Sequence, residues 1–292
     1  MKQEFNKGIL LTSLGSFWWG FIGVLYFEYV SFIGHVELVI HRCLWTAVML
    51  VLTTTFLSKW NFFLIVVKNL KSLVYLFLSG VLIFLNWAVW IYAVATDRII
   101  DASFGYFIMP IISVLLGYIF FKEKLNNRRI FSIILVTISI TILVFFNLKS
   151  LPWVGIIVAL SWAFYNLVRK KINVDTDIGL LIESLFIFPF ALIAFYILTK
   201  NGFNDFNFNN VGLSLLLLLA GPMTVIPLFL YVRGVELIGL GATGMIFYIT
   251  PTLQFILGFF YYNEEFSPIK FLSFLIIWIA VIIYLKDLYE TN

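Results

Sequence analysis

Apolar runs of about 20 residues recur along the whole chain, separated by short polar gaps. As a helix, a run of this length spans the hydrocarbon core of a bilayer. Backbone polar groups cannot stay unpaired in hydrocarbon, and these runs are too long for barrel strands, so an all-α integral membrane fold is predicted. The ten predicted spans lie near residues 8 to 28, 36 to 57, 72 to 95, 100 to 121, 129 to 147, 152 to 170, 178 to 199, 211 to 232, 237 to 262 and 267 to 286.

The composition supports a polytopic membrane protein, because 62% of the 292 residues are hydrophobic and only 12% are charged. One cysteine and two histidines argue against a disulfide framework, a cysteine metal cluster or a histidine-rich metal site, so neither metal nor cofactor is expected. The first apolar run is too long for a cleaved signal and lacks a small-residue cleavage site, so we expect a retained helix. The longest polar gap, 199 to 210, is read as a loop, which leaves all function to the membrane part.

The basic residues predict the orientation. With ten spans both termini share one face, and that face collects 14 Lys and Arg residues against 4 on the other. Both termini are therefore predicted to be cytoplasmic. The basic loops would face anionic lipid, so membrane lipid is an expected partner and nucleic acid is not.

An internal repeat joins the two halves. The stretches "PIISVLLGYIFFKE" and "PTLQFILGFFYYNE" place Pro, Gly and Glu at the same spacing, 141 residues apart. We predict a first five-helix repeat over 1–147, a second over 152–286 and a cytoplasmic tail over 287–292. Since five is odd, the second repeat would be inverted, which is typical of alternating access. The alternative is that the duplication records ancestry only, as in some channels.

Four prolines are candidate hinges: Pro110, Pro222, Pro227 and Pro251. Pro110 and Pro251 occupy the middle of predicted spans and cannot donate to the carbonyls of Tyr106 and Phe247. A kink with a free acceptor is therefore expected where two half-helices meet. The alternative is a kink that serves packing alone.

Three stretches resemble the RarD family, in the EamA branch of the drug/metabolite transporter superfamily. They are "ELVIHRCLW" (37 to 45), "LNWAVWIYAVATDRIIDASFGYFIMPIISVLLG" (85 to 117) and "MTVIPLFLYVRGVELIGLGATGMIFYITPTLQFILGFFYYNEEF" (223 to 266). The resemblance implies a ten-helix permease of the bacterial inner membrane, with a cavity between helices one to four and six to nine. Thr96, Asp101 and Met109 depart from the family pattern, and the family's physiological substrate is not settled.

Ionisable residues inside spans are costly and tend to face a cavity. Glu37, His41 and Arg42 predict an outer-facing site in which Arg42 attracts an anionic group and His41 or Glu37 exchanges protons. Aligning the halves sets Glu183 opposite His41, which suggests a polar pathway. The alternatives are snorkelling of Glu37 and Arg42 to the headgroups, and an ion pair between Glu183 and the basic loop at 169 to 171.

Helix three offers amide and indole donors within an aromatic wall, which suits a zwitterionic or drug-like guest. Repeat-related residues in helices one and six extend that wall. Glu123 and Glu264 are expected to cap or pin helix ends. The candidate cavity residues are Trp18, Trp19, Asn86, Trp87, Trp90, Tyr106, Trp162, Tyr165, Asn166 and Gln254.

The predicted function is a secondary transporter, not an enzyme, that moves a small metabolite or drug-like solute outward, by proton exchange or facilitated flux. The alternatives are a channel or uptake carrier for a small nutrient and an integral membrane enzyme acting on lipid. The sequence has neither clustered histidines nor carboxylates paired at one site, which such an enzyme would need. It also has no nucleotide-binding loop, which argues against ATP coupling. Oligomeric state is left open.

Overall fold

The computed structural model describes residues 2–95, 99–147, 153–207, 209–261 and 267–291. Their regular secondary structure is entirely helical. The helices are α1 (Lys2–Phe17), α2 (Val24–Tyr29), α3 (His35–Phe56), α4 (Trp60–Val67), α5 (Leu70–Ala95), α6 (Ile99–Phe121), α7 (Asn127–Asn147), α8 (Trp153–Lys171), α9 (Thr176–Lys200), α10 (Val211–Leu218), α11 (Ala220–Ile246), α12 (Ile249–Phe260) and α13 (Pro268–Thr291).

Eight helical stretches of the described chain are long and apolar enough to cross a bilayer, which makes this a multi-pass membrane protein. One of them, Val211–Phe260, contains 50 residues and includes α10, α11 and α12. α8 has 19 residues but is not one of the eight. The short helix α4 occupies a gap that the sequence left as loop.

A π-helical turn, Trp18–Gly23, joins α1 to α2. This turn was not predicted from the sequence. Such turns are frequent at functional sites. Gly20 lies in this turn against α12, where an added Cβ would be 2.9 Å from the Thr250 carbonyl oxygen. The missing side chain therefore lets the two backbones meet.

Three of the four predicted hinge prolines do not interrupt the helix that contains them. α6 runs without interruption through Pro110. Pro222 is the third residue of α11, and Pro251 is the third residue of α12. N–H groups in the first turn of a helix have no acceptor within the helix, so a proline there removes no hydrogen bond. The carbonyl of Phe247 is not free, because it accepts a 2.9 Å hydrogen bond from the Thr250 amide.

The break in the eighth and ninth predicted spans falls instead at Gly239, with a short non-helical turn at 247–248. Gly239 has φ 87° and ψ 172°, a conformation in which a side chain would be strained. Pro227, like Pro110 in α6, lies inside its helix, α11.

Three helices of the first half of the chain each pack antiparallel against a helix of the second half. The start of α7 meets the end of α13 through Arg129 and Asp287, 2.8 Å apart. α3 and α9 cross likewise, since Lys59, just after α3, pairs with Asp177 at the start of α9. The end of α6 lies against the helix that follows Gly239.

The main apolar core collects residues of α3, α5, α6, α8, α9 and α11. A second core joins α6, α7, α11 and α13, which places α7 and α13 together at one side.

Candidate functional site

Seven rings meet near the middle of the bundle, and we call them the central aromatic cluster. Trp19 lies 5.2 Å from Trp162, measured between ring centroids, and 5.7 Å from Tyr231. Tyr106 joins the cluster at 5.9 Å from Phe247. The members are Trp19, Trp90, Tyr106, Trp162, Tyr165, Tyr231 and Phe247.

Five of these rings were predicted as cavity residues, and the structure brings all five together: Trp19, Trp90, Tyr106, Trp162 and Tyr165. Tyr231 and Phe247 were missed as site residues. The repeat carried the missing signal for Phe247, because an offset of 141 residues pairs it with Tyr106.

A small cavity lies between α3, α5, α9 and α11. Its wall is mostly apolar, and it includes two predicted residues, Trp87 and Glu183. Glu183 also accepts a 3.1 Å hydrogen bond from the hydroxyl of Tyr165, a member of the central aromatic cluster. The cavity and the cluster are therefore neighbours that share polar contacts.

Arg42 projects into the bundle. Its guanidinium carbon is 4.9 Å from the centroid of the Trp87 ring and 5.0 Å from that of Phe27. Its Nε donates to the hydroxyl of Thr224 on α11 at 3.2 Å. In this structure Arg42 therefore contacts α2, α5 and α11, whereas the alternative orientation would place it at the headgroups.

Glu37 and His41 lie on another face of α3, with side chains 3% and 0% exposed. Glu37 accepts a 2.7 Å hydrogen bond from the amide of Asp205. The indole of Trp45 donates to Nδ1 of His41 at 3.0 Å. Glu37, His41 and Trp45 therefore share one face of α3, and this face packs against Phe195 of α9 and against Asp205 and Phe206.

Glu183 is 3% exposed and belongs to a buried network on α9. Its carboxylate lies 3.4 Å from Nε of Arg169 and accepts a 2.6 Å hydrogen bond from Ser79. The ion pair with the basic segment, which the sequence left as an alternative, is therefore present. Arg169 belongs to the basic segment 169 to 171 of that alternative, whereas Ser79 was not predicted and no sequence pattern marks it.

The remaining candidates have separate surroundings. The amide of Asn86 donates to the Val158 carbonyl at 3.0 Å and to Ser161 at 3.1 Å, which fastens α5 to α8. Asn166 donates to the Trp162 carbonyl, while its Oδ1 has no partner among the described residues. The indole N–H of Trp18 likewise has none within that part of the chain. Gln254 is half-buried in α12.

Glu123 caps the helix that starts after Gly239. Its carboxylate accepts hydrogen bonds from the amides of Leu240 and Gly241, both at 2.9 Å. It also pairs with Lys170 at 2.8 Å. The predicted capping geometry is thus present at Glu123, while Glu264 lies outside the described residues.

Comparison with known proteins gives a consistent result. The model of the EamA-like transporter family matches twice, over residues 6–145 and 150–286. A solved crystal structure of a protein superposes with a TM-score of 0.70 over 97% of this chain and 98% of that one, at 12% identity. That likeness concerns the fold alone.

Curated relatives match along nearly the full length. The protein named RarD of Escherichia coli is 31% identical over 99% of this chain and 97% of its own. The uncharacterized transporter YojE of Bacillus subtilis is 33% identical over 96% and 94%. An uncharacterized transporter of Vibrio cholerae is 34% identical over 98% and 94%.

Proposed function

This chain belongs to the EamA-like transporter family, as a RarD-type member and not an enzyme, and we propose that it carries a small organic solute by alternating access. The observation that carries the proposal is the antiparallel pairing of corresponding helices from the two halves. The solute would bind between that cluster and the cavity bordered by Trp87 and Glu183.

The proposal rests on an inverted repeat over 1–147 and 152–286. In this repeat, α3 corresponds to α9 and α7 corresponds to α13. α6 corresponds to the helix that follows Gly239. Each of these pairs is in contact and runs antiparallel, as a two-fold axis in the membrane plane requires. Residues near such an axis should meet their own counterparts. The hydroxyl of Tyr248 indeed donates to the carbonyl of Phe107, 141 residues earlier, at 2.8 Å.

Ten crossings fit this symmetry better than eight. A straight 50-residue helix would be about 75 Å long, more than twice the hydrocarbon core of about 30 Å. Val211–Phe260 would therefore cross twice, turning at Gly239, and α8 would cross once. The bias of basic residues then sets both termini in the cytoplasm of a bacterial inner membrane.

Contacts between the halves would hold the cytoplasmic side closed. Lys59 pairs with Asp177, and Glu123 pairs with Lys170 while it caps Leu240. Each contact joins an element of one half to an element of the other. Opening toward the cytoplasm would break them, and equivalent contacts would form on the opposite side.

Transport is tested in proteoliposomes loaded with unlabelled amino acids, polyamines, nucleosides or chloramphenicol. The outside solution contains the same compound as a labelled tracer, with or without a pH gradient. A carrier concentrates the label transiently by counterflow, whereas a channel only equilibrates it. Modification of lipid with no solute movement would exclude the proposal.

Proton coupling is a separate part of the proposal, and His41 tests it. If His41 exchanges the proton, His41→Ala abolishes accumulation driven by the pH gradient and spares counterflow. Equal loss of both activities would assign His41 a structural role beneath the loop 201–210.

A further inference from the structure

Resting on the proposed function, we infer that Arg42 binds a carboxylate of the transported solute, so that the solutes are organic anions with an apolar body. The starting observation is a cation inside the bundle for which the described residues offer no carboxylate. Burying an arginine without a counter-charge is costly, and such residues in membrane proteins line substrate pathways.

The carboxylates that could neutralise Arg42 from the described interior are engaged elsewhere. Glu37 accepts from the Asp205 amide and faces His41. Glu183 is held by Arg169, Ser79 and Tyr165. Neither is among the contacts of Arg42, which include the rings of Trp87 and Phe27 and the hydroxyl of Thr224.

Arg42 also keeps the donors that a carboxylate needs. Only Nε is committed, to Thr224, and the two terminal nitrogens have no acceptor among the residues described. The side chain is half-buried, so part of its surface is not covered by the described residues. The rings of Trp87 and Phe27 hold the planar guanidinium, which favours a two-point contact with a carboxylate.

The surroundings also define the rest of the solute. Trp87 contacts Arg42 and also lines the small cavity, whose other walls are largely aliphatic. An inorganic anion bound to Arg42 would make no favourable contact with this apolar lining. A carboxylate bonded to a hydrocarbon or aromatic group neutralises the cation and packs its apolar part against Trp87 and the aliphatic side chains.

The experiment compares carboxylates with their neutral carboxamides of almost equal shape. The pairs are butanoate with butanamide, 3-phenylpropanoate with 3-phenylpropanamide, and indole-3-acetate with indole-3-acetamide. Binding to the purified protein is measured by tryptophan fluorescence, and transport by counterflow in proteoliposomes. At least one carboxylate is expected to bind tenfold or more tightly than its amide, because a charge-assisted bidentate contact is lost.

Two substitutions at the same position locate the preference. Arg42→Gln is expected to abolish the difference between acid and amide, and Arg42→Lys to retain part of it. Arg233→Gln is the matched control, since that arginine pairs with Glu236 at 2.6 Å outside the cavity.

The outcomes separate this inference from the proposed function. Counterflow of neutral solutes with no acid preference in any pair would overturn the role of Arg42 and leave the transporter intact. Absence of counterflow with every solute would reject the proposed function itself. Binding of chloride or phosphatidylglycerol in place of the organic acids would also overturn the inference, since it assigns Arg42 to an inorganic ion or a lipid headgroup.

Discussion

At the residue scale, the three ionisable residues of α3 separate into two environments. Consecutive residues of a helix point about 100° apart, so His41 and Arg42 cannot share a face. His41 and Glu37 turn toward α9 and the loop 201–210, whereas Arg42 turns toward α2, α5 and α11. The residues expected to form one outer-facing site therefore lie in two environments. Arg42 contacts Trp87 and Phe27, whereas His41 contacts Trp45 and Phe195.

The pair of Arg169 and Glu183 gives a stability prediction at this scale. Arg169→Met leaves the Glu183 carboxylate buried without its cation, and we expect it to lower the free energy of unfolding by about 3–5 kcal/mol. The double variant Arg169→Met/Glu183→Leu should recover much of that loss, because apolar side chains of similar volume replace both charges. Chemical unfolding in detergent measures both changes.

Lys200→Met, at the exposed end of α9, is the control for that comparison and should change stability by about 0.5 kcal/mol or less. A double variant as unstable as the single one would contradict the pairing. A stable double variant that lacks only pH-driven transport would instead assign Glu183 to proton coupling.

At the element scale, the break in α11 combines two features that are distant in sequence. Gly239 supplies the backbone conformation that stops the first part of the helix. Glu123, from the other half of the chain, supplies the acceptors for the amides that start the next part. Hydrophobic periodicity carries no trace of this arrangement, which explains why the predicted boundary near 232 to 237 was misplaced.

Removal of this cap should be measurable. Glu123→Ala leaves two helix amides and Lys170 without their acceptor, so we expect a loss of about 1–2 kcal/mol in the free energy of unfolding. Glu290→Ala removes an exposed ion pair with Arg128 and should cost at most about 1 kcal/mol. Equal effects of the two substitutions would show that Glu123 does not stabilise the break.

At the scale of the whole molecule, the features that could be predicted from the sequence are those that depend on composition and on the internal repeat. Helical spans, the polar loop before α10 and the meeting of Trp19 with Trp162 follow from hydropathy and the two-half pattern. The buried network of Ser79 with Glu183, and the contact of Arg42 with Thr224, depend on side chains brought together by packing. No spacing within a single helix specifies those contacts, so they could not be predicted.

The number of crossings is the remaining prediction at this scale, and two loops distinguish ten from eight. With ten, the loop after α8 is cytoplasmic and the loop after α9 is external. If α8 stayed outside the membrane and Val211–Phe260 crossed once, these two loops would exchange sides. The three basic residues at the end of α8 favour ten, because they would otherwise face outward.

Single cysteines at Asn173 and Asn201 test the arrangement in a chain whose buried native cysteine is replaced by Cys43→Ala. We expect a membrane-impermeant maleimide to label the Asn201→Cys variant from outside and the Asn173→Cys variant only in inside-out vesicles. Ser31→Cys and Lys124→Cys are the controls, since both arrangements set the first outside and the second inside. Reversed labelling at the two test positions would establish eight crossings. The inverted repeat would then be excluded, because α8 would not cross the membrane and could not correspond to α1.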